Sequence, residues 1–159
     1  MKEVEQTSEQ AKQAQVNIQA QYVKNISFDS PIVPRAFKEI KEAPKVDLNL
    51  DIQVKDIEKD QYEVTIVIKA KAEHNTDKVF SVDMEYSGLF EIKSAPSEEQ
   101  KKQILLIYCP NIIFPFARRI VSDVTRDAGF QPLMINPVDF AGLYMQQQQK
   151  QQDSSSTVH

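Results

Sequence analysis

Residues 45–54 alternate without a break. Val46, Leu48, Leu50, Ile52 and Val54 fall on one side, and Asp47, Asn49, Asp51 and Gln53 on the other. A helix repeats its faces about every 3.6 residues and a strand every two, so this segment predicts a half-buried strand. Residues 62–72 repeat the pattern, with Tyr62, Val64, Ile66, Ile68 and Ala70 set against Glu63, Thr65, Val67 and Lys69. The link between them, Glu58-Lys59-Asp60-Gln61, is short and polar and suits an antiparallel hairpin. His74-Asn75-Thr76-Asp77 reads as a second turn. A third alternating run, 79–92, sets Phe80, Val82, Met84 and Tyr86 opposite Ser81, Asp83 and Glu85, with Gly88 as a bulge or bend. The run from Ile18 to Phe28 makes a fourth strand, closed by Asp29-Ser30-Pro31. A crossover loop, 31–44, then carries Pro31, Pro34 and Pro44, and is long enough that the first strand need not lie beside the second.

The period changes after Ser94. Ser97 and Gln100 make a capping box, with Glu98 and Glu99 in the positive first turn of a helix. Ile104 to Phe116 is then apolar nearly all round, which predicts burial on every side. Pro110 and Pro115 should bend or break this helix. Gly129 is its natural stop. Asn136, with Pro137 after it, predicts the cap of a short last helix whose apolar face is Phe140, Leu143 and Tyr144. The fold class expected is α+β: a four-stranded antiparallel sheet with a long crossover loop, packed on one long Pro-bent helix and a short C-terminal helix. The folded domain spans residues 16–145. Residues 1–15 and the Gln- and Ser-rich 146–159 read as disordered tails.

Composition narrows the chemistry. With one cysteine, Cys109, no disulfide framework can form, which fits a reducing compartment. His74 and His159 with one cysteine cannot build the usual zinc site, and with 3 glycines a phosphate-cradling loop is absent. A net charge of -4 disfavours nucleic acid as a partner. The N-terminus shows no secretory signal, and no uncharged apolar stretch reaches membrane-spanning length. The expectation is a cytoplasmic, non-enzymatic protein that needs no cofactor.

A helix apolar all round is more than one small sheet can cover. Exposure around Ile112, Ile113 and Phe116 points to a homo-oligomer with this helix at the interface, the alternative being a helix wrapped by its own domain. The polar sides of the strands carry Asp47, Asp51, Glu63, Asp83 and Glu85, with Asp29 at the end of the first strand. That face is either ordinary solvation or a docking surface for a basic partner. Phe37 and Ile40 on the crossover, Leu48 and Leu50 on the strand, and Phe140, Leu143 and Tyr144 on the last helix are either core or the walls of a groove for extended apolar segments.

Four stretches carry a resemblance: YVKNISFDSP at 22–31, PKVDLNL at 44–50, CPNIIFPFAR at 109–118 and INPVDF at 135–140. In these, and in their spacing over about 16–146, the chain resembles SecB, the family of bacterial protein-export chaperones. The resemblance implies a homotetramer, a dimer of dimers, that holds unfolded precursor proteins and delivers them to SecA, the translocase ATPase, without catalysis or cofactor. Carried over by position, Val46, Leu48, Leu50, Phe37, Phe140 and Leu143 line the client groove. Asp29, Ser81 and Asp83 dock SecA, and Val82, Met84 and Tyr86 belong to tetramer assembly. Asn25 stands where some members carry Asp. The crossover has no Trp, so Phe37 or Ile40 takes that place. A non-catalytic adaptor using the acidic face is the alternative function.

Overall fold

The computed structural model describes residues 13–155. Four strands form one antiparallel sheet: β1 Gln15–Asp29, β2 Lys45–Glu58, β3 Gln61–His74 and β4 Asp77–Lys93. Their order is β1-β4-β3-β2, so the crossover carries the chain from one edge of the sheet to the other. Both hairpins turn tightly through a left-handed residue, Asp60 (φ 61) and Asn75 (φ 56), types that tolerate that conformation. The crossover is not wholly loop. It contains a short helix, α1 (Arg35–Glu39), which carries Phe37, and Ile40 is its C-terminal cap.

The alternation holds across β2, β3 and β4. Rows such as Leu50–Ile68–Met84 and Ile52–Ile66–Tyr86 run straight through the register on the face that the helix covers. Gly88 is not a bulge, because its pairing with Val64 and Gln21 is continuous. Besides register shifts next to the hairpin turns, at Asp56/Glu58 and Ala72/Glu73, two bulges lie in β1, between Ile18 and Ala20 and between Val23 and Asn25. Each adds one residue and reverses which face the next side chains take. Ile18, Ile26 and Phe28 therefore lie on the helix side of the sheet with Phe90, Met84 and Val82, Ile18 and Ile26 exposed at its edge, while Ala20 and Tyr22 pair with Leu89 and Ser87 on the outer face.

One helix, α2 (Glu98–Asp127), packs across the sheet. Ser97 caps it, its hydroxyl accepting from the Gln100 amide at 3.1 Å. The prolines do not break it. Ile104–Tyr108 widen into a π turn directly before Pro110, where a missing amide and a ring must be fitted, and the helix runs on through Pro115. By length and composition α2 resembles a membrane span. Its inner face, including Leu105, Cys109, Ile113, Ala117 and Val121, is packed into the core with the sheet. Burial is one-sided, since Tyr108 and Phe116 are 52% and 41% exposed.

Thr125 ties the chain after α2. Its hydroxyl donates to the Val121 carbonyl at 3.0 Å and accepts the Leu133 amide at 2.9 Å, with the side chain wholly buried. The last helix, α3, is Phe140–Ser155. Its cap is Asp139 and not Asn136, because the Asp139 carboxylate accepts the Gly142 amide at 3.0 Å. It also continues through residues 146–155, expected as tail, and the side chains of 146–153 are mostly exposed. Residues 1–12 and 156–159 of the expected tails lie outside the described residues.

Candidate functional site

The predicted groove residues gather in two clefts along β2, which is an edge strand. Phe37, Ile40 and Val46 line the first, a cleft of about 400 Å³. Leu50, Phe140, Leu143 and Tyr144 line the second, a crevice of about 70 Å³ between β2 and α3. Leu48 stands on β2 between them, 41% exposed. Strand geometry spaces Val46, Leu48, Leu50 and Ile52 about 6–7 Å apart on one face, giving an apolar row roughly 20 Å long.

Two of these residues are more core than wall. Phe140 is buried and meets Phe114 edge-on at 5.7 Å. Tyr144 is buried too, its phenol donating to Glu99 at 2.5 Å, which pins α3 to the first turn of α2. They form the floor of the second cleft and leave Leu143 at its rim. The structure also adds residues that the pattern reading missed. Val79, Phe80, Gly129 and Phe130 line the first cleft, and Ile52 and Leu106 the second. Phe28, Phe80, Phe130 and Phe37 form a chain of ring contacts at 5.1–6.5 Å beside the first cleft.

The outer face divides in two. At one end Asp29 lies opposite Ser81, and Asp83 lies opposite Ser27, on a single face. The three expected docking residues are therefore neighbours. Asp29 takes an ion pair from Lys78 at 2.8 Å, and Lys69 and Lys71 pair across from Asp83 and Ser81. Glu63, expected on the free acidic surface, is not part of it. It is buried, accepts from Tyr22 and Lys24, and those hydrogen bonds hold its carboxyl below the usual range. The buried Thr65 and Ser87 hydroxyls bond each other at 2.7 Å beside it.

The expected interface set also divides. Val82, Met84 and Ile113 are fully buried in this subunit's own core, because the face of β4 that carries them lies beneath α2. They present no surface to a second copy. Tyr86 is buried as well, stacked on Phe116 with ring centroids 6.4 Å apart, its hydroxyl donating to Gln21 at 3.1 Å. Phe116 and half-buried Ile112 remain outward, joined by Tyr108 and by the exposed Ile18, Val23 and Ile26 of β1.

Cys109 is buried, and burial pushes its thiol up to about 12, so it stays protonated near neutrality. Among the described residues no group of three His, Cys, Asp or Glu side chains could hold a metal ion.

A four-stranded antiparallel sheet under one long helix, with a short helix in its crossover and another at its end, is the fold of the SecB-like chaperones. A Mycobacterium tuberculosis SecB-like chaperone, determined in complex with an antitoxin peptide, superposes with a TM-score of 0.64 over 77% of this chain and 90% of that one at 17% identity. The chain belongs to the SecB family: the family model described as preprotein translocase subunit SecB matches residues 9–151. Relatives named protein-export protein SecB include that of Maricaulis maris, 43% identical over 137 residues, covering 86% of this chain and 79% of the relative. That of Parvibaculum lavamentivorans is 40% identical over 144 residues, covering 91% and 85%. That of Rickettsia akari is 40% identical over 139 residues, covering 87% and 91%.

Proposed function

We propose that this chain is a cytoplasmic, ATP-independent holdase that keeps precursor proteins unfolded and delivers them to SecA. One observation carries the reading: the apolar row of β2 runs between two clefts, and Leu48 within it is 41% exposed where a core strand would be covered. A folded protein hides its apolar segments and an unfolded precursor does not. Burial at roughly 25 cal/mol per Å² therefore selects non-native chains without reading sequence. An extended client crossing several subunits adds weak contacts at high effective concentration, so avidity exceeds any one site while each contact stays reversible. Holding of this kind uses no catalytic group and no cofactor.

The assembly is a homotetramer. The outward band of Ile112, Phe116 and Tyr108 on α2, continued by Ile18, Val23 and Ile26 on β1, is the surface that other copies cover. β1 is a bare edge with few charges, whereas β2 is studded with Lys45, Asp47, Asp51, Lys55 and Asp56, which discourage pairing. SecA docks on Asp29, Ser81 and Asp83.

Light scattering from an aggregating unfolded precursor tests the central claim. Wild type should suppress it without ATP. Leu48→Ser with Leu50→Ser should lose most of that effect while sedimenting as wild type. Undiminished suppression by this variant would remove the groove assignment, and no suppression by wild type would leave the adaptor reading standing.

A further inference from the structure

The stop of α2 and the first cleft share a residue. Gly129 follows the last turn with φ +97, a region glycine enters without the penalty a side chain brings. Its amide donates to the Arg126 carbonyl at 3.0 Å, and the next amide, Phe130, to the Thr125 carbonyl at 3.1 Å. This pair of bonds satisfies the last carbonyls and turns the chain sharply. The turn brings Phe130 to the cleft and lays the bare α-carbon of Gly129 against the ring of Phe37. A Cβ on Gly129 would lie 2.8 Å from Phe37 Cζ and 3.1 Å from Cε1. The other ring that Phe37 meets is Phe130, at 5.3 Å. Phe37 is 48% exposed, so the ring is the partner free to move.

We propose that Gly129 is a positioning residue of the first cleft: its missing side chain is the seat of Phe37, and that seat sets the width of the cleft and hence its affinity for an extended client. The proposal rests on the reading that the cleft takes clients. A side chain at 129 acts through Phe37. It lifts the ring off the backbone and relocates one wall, while Ile40, Val46 and Phe130 keep their places.

The experiment compares wild type, Gly129→Ala, Phe37→Ala and the double variant. One readout is the urea midpoint; the other is the affinity for fluorescein-labelled lactalbumin, reduced and carboxymethylated so that it cannot refold. Gly129→Ala should weaken binding by about tenfold in the wild-type background and by less than about twofold in the Phe37→Ala background. Its urea midpoint should fall less in the Phe37→Ala background as well. Equal losses in both backgrounds would mean backbone strain at 129 alone and overturn the proposal, as would unchanged affinity. Should Gly129→Ala fail to fold, the double variant should regain a cooperative urea transition, because removing the ring removes the collision and leaves only the strain of a side chain at φ +97; no recovery would mean that this strain alone decides position 129 and would overturn the seat. Wild type that ignores lactalbumin would sink the client reading and the affinity claim together, and the urea coupling of 37 with 129 would show whether the seat itself exists.

Discussion

The phenol of Tyr22 on β1 reaches over β4 and donates to the Glu63 carboxylate on β3 at 2.5 Å. Lys24 closes on the other carboxylate oxygen at 2.9 Å. The bond from Tyr22, then that from Lys24, holds the Glu63 carboxyl below its ordinary value. A carboxyl depressed in the folded state adds stability above its unfolded value, about 4.3, and loses it as pH falls through the lower folded value. Glu63→Gln should therefore cost about 1.5–3 kcal/mol near pH 7. The gap from wild type should narrow as pH drops below about 4.3. Urea midpoints from pH 7 downward measure this, and a gap that stays constant with pH rejects the ionised carboxylate as its source.

Why this cluster escapes sequence reading is physical. Strict alternation places Ala20 and Tyr22 with Ile18, Ile26 and Phe28, and only the two bulges in β1 move them to the other face. Neither bulge carries a glycine or proline to mark it. The strands β2, β3 and β4 were legible because hydrophobic burial enforces a period of two wherever one face is covered. Phe37, Ile40 and Leu50 were legible as apolar residues that are either core or wall, and the structure sets them, with Val46, along the two clefts. Phe130 was not, because its place depends on the direction in which the chain leaves Gly129. Val82, Met84 and Ile113 could not be separated from Phe116 by pattern, since core and interface obey one apolar preference.

At Gly88 the sheet lies close beneath α2. A Cβ there would lie 2.6 Å from Phe90 Cε2 and 3.0 Å from Ile113 Cγ2, and both of those side chains are fully buried. Unlike Phe37, neither has solvent to move into. Gly88→Ala should lower stability by about 1–3 kcal/mol through overpacking, with an unchanged urea m-value. Stability equal to wild type would show that α2 can shift freely on β4.

Thr125 tests the polar tie beneath the C-terminal end of α2. Thr125→Val keeps the shape but leaves the Leu133 amide without its acceptor, 2.9 Å away in the wild type. An orphaned buried donor costs about 1–3 kcal/mol. Amide hydrogen exchange at Leu133 should accelerate well beyond the global change. Uniform acceleration across the domain would instead point to a simple packing defect.

Assembly should fail at Phe116 before the fold does. Phe116 stacks on Tyr86 from outside, so Phe116→Asp places a charge on an exposed ring site and opens no core cavity. Sedimentation should show smaller species while the circular dichroism of the subunit stays near wild type. Ile113→Asp is the contrast, because a charge at that fully buried position should unfold the subunit itself. Intact tetramers from Phe116→Asp would move the interface off this side of α2.

The surfaces proposed for docking and for client capture lie on opposite faces of the sheet, so the two activities should separate by mutation. Asp83 is exposed on the outer face, and Val82 beside it points into the core. Asp83→Arg reverses a charge without touching β2, α1 or α3. It should weaken binding to SecA by at least about tenfold, with a steep dependence on salt, and leave the suppression of precursor aggregation intact. Asp29→Arg should act in the same direction but also disturb the local fold, because Asp29 holds Lys78 at 2.8 Å. Loss of both activities in Asp83→Arg would mean a damaged subunit, whereas full SecA binding would place the docking surface elsewhere.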